Sequence, residues 1–232
     1  VTPVLVALDV PTLEEADTLA GAVQSHVGGF KVGLELVMAE GPRAIRDIAR
    51  RGLPVLADVK LHDIPNTVRQ AASRVRAAGA RWVTTHAAGG GEMLEAAVAG
   101  MGRGVLAVTV LTSLDDADLV AAGVSRSAAA QVGLLARLAE DRGAEGVVCS
   151  PREAASVKEI SSSLLVATPG IRLPGASLGD QKRATAPVEA LRAGADLLVI
   201  GRAITAAPDP AAAAAAIAAD IAAGERDSPP AP

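Results

Sequence analysis

Cysteine, aromatic side chains and surplus positive charge are all scarce in this chain of 232 residues. Cys149 is the single cysteine, which excludes an intramolecular disulfide framework and a CxxC metal site. One Phe, one Trp and no Tyr leave nothing from which to build a base-stacking platform, so single-stranded nucleic acid is a poor partner. Lysine and arginine number 22 against 26 acidic residues, for a formal charge of -4, so no basic field draws the chain to a phosphate backbone. No apolar run reaches the ~18 residues of a membrane span. Val1-Thr2-Pro3-Val4 lacks the basic stretch of a signal peptide, and a cytoplasmic location is the expectation. What is plentiful is aliphatic: half of the residues are apolar, enough for a sizeable core.

Short aliphatic runs alternate with alanine-rich amphipathic segments along the chain. Strands are expected at residues 4–8, 29–32, 54–57, 82–85, 105–108, 146–148, 164–167 and 197–200. Several of these carry no polar residue, as parallel strands buried on both faces require. Helices are expected at 13–25, 42–51, 67–78, 92–99, 125–142, 152–160, 187–193 and 210–223. Thr12-Leu13-Glu14-Glu15 has capping-box spacing, and Gly52, Gly79, Gly143 and Gly194 each stand where a helix hands over to a strand. Eight βα units in alternation predict an α/β fold, a single-domain (β/α)8 TIM barrel over residues 1–223, with a disordered tail at 224–232. The rival, an open doubly wound sheet, lacks its glycine fingerprint after the first strand.

Barrel chemistry belongs at the C-terminal ends of strands. Polar residues collect there: Asp9, Lys31, Asp58 and Lys60, His86, Thr109 and Thr112, then Arg172 and Gly201-Arg202. The densest cluster is Asp58-Val59-Lys60-Leu61-His62-Asp63-Ile64. Alternation puts Asp58 and Lys60 on one face, and a charge there is expensive to desolvate unless partners surround it. A chain Lys31–Asp58–Lys60–Asp63 is expected, against a solvated rim network as the plainer reading. The loops Pro169-Gly170-Ile171-Arg172 and Gly201-Arg202-Ala203-Ile204 each offer a glycine and an arginine where barrels commonly hold phosphate. Residues 173–180, closed by Gln181, read as a lid. Gly89-Gly90-Gly91 reads as a plain turn, His62 and His86 as structural, and Cys149 as a small buried apolar residue. Three histidines in distant segments give no metal-ligand spacing.

The string Asp58-Val59-Lys60-Leu61-His62-Asp63-Ile64-Pro65-Asn66-Thr67 resembles the signature of the orotidine 5'-monophosphate decarboxylase family. Similarity extends to Ala7-Leu8-Asp9, Phe30-Lys31-Val32-Gly33, His86-Ala87-Ala88-Gly89-Gly90, Leu111-Thr112-Ser113, Thr168-Pro169-Gly170-Ile171-Arg172, Asp180-Gln181 and Val199-Ile200-Gly201-Arg202. A bare D-x-K-x-x-D is shared with related sugar-phosphate enzymes, and Lys31 points to the orotidylate branch. The resemblance implies a homodimer that needs no cofactor and no metal. It would release CO2 from orotidine 5'-monophosphate to leave uridine 5'-monophosphate (UMP). It also implies roles. Lys60 protonates C6, Asp58 lies beside the substrate carboxylate, and Lys31 neighbours the ribose and Asp58. Asp9 bonds the ribose, Thr112 the pyrimidine edge, and Ile64 belongs to the binding site. Gln181 bridges base and phosphate, Arg172, Gly201 and Arg202 hold the phosphate, and Asp63 and Thr67 reach into the partner's site.

The chemistry suits these residues. Losing CO2 from C6 leaves an electron pair in the ring plane, where the π system cannot delocalise it. A fixed ammonium in a water-poor site supplies the stabilisation, and flanking carboxylates keep it charged despite burial. The rivals are a metal-dependent sugar-phosphate decarboxylase or synthase, a Schiff-base aldolase using Lys60, and a nucleotide-binding regulatory barrel.

Overall fold

Strands without polar residues are stable only where both faces are covered, and alternating amphipathic helices supply the outer cover. The computed structural model describes residues 2–171 and 185–226. Its elements run β1 (Val4–Ala7), α1 (Leu13–Val23), β2 (Gly29–Gly33), α2 (Leu34–Glu40), α3 (Arg43–Ala49), β3 (Val55–Leu61) and α4 (Pro65–Ala77). They continue through β4 (Trp82–His86), α5 (Gly91–Met101), β5 (Val105–Val108), α6 (Asp116–Ala121), α7 (Ala128–Asp141), β6 (Gly146–Val148) and α8 (Ala154–Ile160). Then follow β7 (Leu165–Thr168), α9 (Pro187–Arg192), β8 (Leu197–Ile200), α10 (Arg202–Thr205) and α11 (Pro210–Arg226). The strands pair in sequence order, all parallel, and β8 closes on β1. The expected (β/α)8 barrel is the fold.

Two apolar layers hold it. Leu5, Ala7, Leu56, Leu106, Ala167 and Val199 fill the barrel with aliphatic side chains, and Trp82 joins them. The Trp82 indole N–H donates to Glu145, and Arg81 stacks on its ring at 4.7 Å. Outside the barrel, residues such as Phe30, Ile45, Val68, Leu94 and Leu135 pack strands against helices. Thr12 accepts a hydrogen bond from the Glu15 amide and caps α1. Gly52, Gly79, Gly143 and Gly194 all have positive φ, as helix-to-strand turns demand.

The differences from expectation have local causes. Helix α4 starts at Pro65 rather than 67, because proline is preorganised for the first helical turn. Helix α7 begins at 128, where Ser127 caps it and the Ala128 amide donates to Asp116. The segment expected as one helix from 152 opens instead as a 3-10 turn, Pro151–Glu153. Helices α2, α6 and α10 were not expected; α2, α6 and α10 each bury a single side chain, too little for a periodic stripe. Helix α11 runs on to Arg226, so the expected boundary at 223 is corrected: an alanine-rich helix has no reason to stop there. The remainder of the expected tail, and the expected lid with Arg172 and Gln181, lie outside the described residues.

Candidate active site

The C-terminal mouth of the barrel opens into a cleft of about 530 Å3, a size suited to a nucleotide. Asp9, Lys31, Asp58, Lys60, Thr84, Thr112, Gly170, Gly201 and Arg202 line it, above an aliphatic floor that includes Leu56, Val108, Val148 and Val199.

Four charges from three consecutive strands form one chain of contacts. Lys31, on β2 and 7% exposed, donates to Asp9 Oδ1 at 2.8 Å and pairs with Asp58 Oδ2 at 3.4 Å. Lys60 Nζ donates to Asp58 Oδ1 at 2.9 Å. Burial by itself would push the Asp58 carboxyl pKa up. Lys31, then Lys60, with hydrogen bonds from Lys60 and Thr84, hold it below the ordinary value of 3.8. Asp58 therefore stays ionised at neutral pH.

Strand β3 is not regular where it carries these residues. Its pairing with β4 shifts between Ala57 and Leu61, and Lys60 has φ 48°, the one positive value outside glycine among the described residues. A β-bulge re-aims a side chain in this way beside functional sites, and the strained backbone persists only because its surroundings hold it. Asp58 and Lys60 do meet, as expected, but across a bulge rather than along an even strand.

The expected charge chain is corrected at both ends. Asp63 makes no ion pair with Lys60 in its own chain; it is exposed, and its carboxylate accepts from the Ile64 amide at 2.6 Å. The turn after β3 carries it out of the barrel mouth. Asp9 takes the terminal position instead, paired with Lys31. Ile64 is 68% exposed and Thr67 is exposed on the first turn of α4, and neither lines the cleft of its own chain. Thr112 is buried on the wall, while Gly201 and Arg202 line the cleft at the start of α10.

Cys149 is fully buried among apolar residues. Gly89-Gly90-Gly91 forms a 3-10 turn into α5. His62 and His86 face each other, ring centroids 5.3 Å apart. Burial foremost, then His62 and Lys60, push the His86 pKa down, with Asp58 opposing. Among the described residues no group of His, Cys, Asp and Glu is gathered as metal ligands, and no helix is long and apolar enough to cross a membrane.

Two contributors were missed. Thr84 bonds both Asp58 and the Lys60 amide. A Cβ at Gly33 would lie 2.3 Å from Asp9 Oδ1 and 2.6 Å from Lys31 Nζ, so glycine there makes room for that pair. A glycine two residues after a buried lysine was the available signal; a threonine in a strand gives none.

Comparison with known proteins agrees with this architecture. Residues 2–217 match the model of the orotidine 5'-phosphate decarboxylase / HUMPS family. The chain is 56% identical over 218 residues to an orotidine 5'-phosphate decarboxylase of Anaeromyxobacter sp. (strain K), covering 93% of this chain and 96% of that protein. It is 50% identical over 222 residues to the Thermobifida fusca orotidine 5'-phosphate decarboxylase, covering 94% and 95%. The crystal structure of orotidine 5'-phosphate decarboxylase from Lactobacillus acidophilus superposes with a TM-score of 0.81 at 36% identity, covering 94% of this chain and 98% of that one.

Proposed function

The chain belongs to the orotidine 5'-phosphate decarboxylase family, and from that premise we propose a cofactor-free mechanism in which Lys60 stabilises and protonates a carbanion at C6 of the substrate. The enzyme is a carboxy-lyase of pyrimidine biosynthesis that decarboxylates orotidine 5'-phosphate. The observation that carries the mechanism is the Lys60 ammonium held 2.9 Å from the partly buried Asp58 carboxylate within the cleft.

The C6–carboxylate bond breaks, its electron pair stays on C6, and CO2 leaves. The Lys60 ammonium transfers one proton to C6, giving UMP, and regains a proton from solvent. Because the pair cannot enter the π system, its stabilisation is electrostatic, and a preoriented ammonium over an aliphatic floor supplies it without reorganisation. Asp58 lies beside the departing carboxylate and pairs with Lys60 Nζ at 2.9 Å. Lys31 and Asp9 meet the ribose, Thr112 the pyrimidine edge. Gly201 and Arg202 grip the phosphate with Arg172, and Gln181 links phosphate to base. Gripping a group remote from the reacting bond contributes to catalysis by fixing the rest of the substrate.

Asp63, Ile64 and Thr67 stand outside the cleft of their own chain, and we assign them to the site of a second copy in a homodimer. The exposure of Ile64 supports this, since an isoleucine at 68% exposure gains from being covered. We place the enzyme in the cytoplasm, as one catalytic barrel domain extending to the end of α11.

Loss of orotidylate absorbance in the presence of a chelator tests the reading. Turnover unaffected by chelation is expected, together with its abolition in Lys60→Ala. Turnover that needs added divalent metal would favour the sugar-phosphate rival, and borohydride trapping of Lys60 with substrate would favour a Schiff base.

A further inference from the structure

Strand β4 turns one hydroxyl into the cleft, beside the charged pair of β3. Thr84 is 1% exposed, and its register partner on β5 is Leu106. A buried hydroxyl costs stability unless it is hydrogen-bonded, so its partners show what it is there for. Thr84 Oγ1 accepts from the Lys60 backbone N–H at 2.9 Å and donates to Asp58 Oδ1 at 2.9 Å. The same Oδ1 accepts from Lys60 Nζ, also at 2.9 Å. The contacts therefore close a ring: Lys60 amide, Thr84 hydroxyl, Asp58 carboxylate, Lys60 ammonium.

The ring sits where β3 leaves its ladder with β4. With pairing shifted between Ala57 and Leu61, the Lys60 amide bonds a side chain of β4 instead of a carbonyl. Lys60 also holds φ 48°, a conformation that relaxes unless its surroundings oppose it. One hydroxyl thus restrains the lysine at both ends: its backbone torsion directly, and its ammonium through the counter-ion.

We infer that Thr84 is a positioning residue for the decarboxylation, fixing the direction of the Lys60 ammonium by clamping the Lys60 backbone and the Asp58 carboxylate on a single hydroxyl. The inference rests on the catalytic role proposed for Lys60. Thr84 acts on the geometry of the proton donor rather than on the grip of the nucleotide, so its loss falls on kcat.

Thr84→Val deletes the hydroxyl at nearly constant shape, and Thr84→Ser restores it. Thr84→Val is expected to lower kcat by about ten- to a hundredfold, the range for a hydrogen bond to a charged group, with KM and UMP affinity within about twofold. Thr84→Ser is expected to recover most of the loss. Titration of the Asp58 carboxyl by 13C NMR should show a higher pKa in Thr84→Val than in wild type, with Thr84→Ser close to wild type. Wild-type kcat in Thr84→Val, equal losses in the Val and Ser variants, or a parallel rise in KM would each overturn the inference. Absence of orotidylate turnover in the wild type would instead remove the proposed function. The Asp58 titration then decides alone, and an unchanged pKa in Thr84→Val refutes the clamp. If Thr84→Val fails to fold, Thr84→Ala is read by the same titration and rates.

Discussion

Deleting the Lys31 charge strikes the charge network at its most buried member. Lys31→Met keeps the length and the apolar stem and removes only the ammonium that lies 2.8 Å from Asp9 and 3.4 Å from Asp58. Breaking a buried ion pair from one side costs about 3–5 kcal/mol, because the other charge is left uncompensated. The lower end, about 3 kcal/mol, applies here. Asp58 keeps Lys60 and Thr84, and the Asp9 side chain is 48% exposed and can turn to water. The pH dependence follows from Asp58. Its native pKa lies below 3.8, so in the wild type its contribution to stability is present above that value and lost as pH falls through the lowered native pKa. Among the influences on it, burial is the largest and Lys31 the largest that opposes burial. Without Lys31 the folded-state pKa of Asp58 rises from its wild-type position, with burial still opposing the ionised form. The ionised carboxylate then contributes less to stability than in the wild type. The deficit relative to wild type should be greatest near pH 7 and shrink as pH falls through the native pKa of Asp58 in the variant. Urea unfolding followed by circular dichroism at several pH values measures it. A deficit of constant size across that range would refute the charge argument and leave only lost packing.

Arg202→Ala should lower kcat/KM for the nucleotide by about 2 kcal/mol, as loss of a charged hydrogen bond does, and barely affect a substrate without phosphate; equal losses for both would count against a phosphate contact. Lys60→Ala and Asp63→Ala should each be inactive alone yet regain part of the activity when mixed. No recovery with mixed dimers demonstrated would place Asp63 in its own subunit's site. His86 has a native pKa pushed below 6.5, mainly by burial, so the unfolded chain takes up its proton first. Its share of stability is present above pH 6.5 and lost as pH falls toward the lower native value. His86→Asn should flatten the stability profile in that window, and an unchanged slope in urea titrations would show that His86 is not its source.

The fold was legible because its punctuation is physical. A strand buried on both faces admits few polar residues, a helix ending in a left-handed turn wants glycine, and both recur at βα spacing. Short helices escaped because an element that buries one side chain, as α2 does with Leu36, leaves no period to read. At the site, Lys31, Asp58 and Lys60 stood out because charges in aliphatic strands require a reason. Their order in space was only half legible. Asp63 is close to Lys60 in sequence but turned out of the mouth, whereas Asp9 is distant in sequence and adjacent through the β1–β2 pairing that aligns Ala7 with Lys31. Thr84 was illegible because threonine is an ordinary strand residue, and only the bulge in the neighbouring strand gives its hydroxyl two partners.

The four charges of the network also explain why its rigidity matters more than its net sign. Asp9, Lys31, Asp58 and Lys60 sum to zero, and Glu35 also lines the cleft, so these groups exert no net pull on an anionic nucleotide. Attraction must come from elsewhere; among the described residues that line the cleft, Arg202 is the cation outside this network, and the proposed phosphate grip assigns the pull to it. What Asp58 and Lys60 do supply is a dipole, in the proposed mechanism negative beside the substrate carboxylate and positive beside C6. In that mechanism, breaking the bond moves one negative charge from the carboxylate to C6, from the acidic end of the dipole to the basic end. A uniform field would stabilise substrate and carbanion alike and accelerate nothing; an oriented dipole stabilises the second more than the first. Such a dipole discriminates only while it holds its direction. A lysine on a regular strand, free to swing toward solvent, would lose much of it. The bulge in β3 and the buried hydroxyl of Thr84 restrict that swing, while the absent side chain at Gly33 leaves room for the Asp9–Lys31 pair on the other side of Asp58.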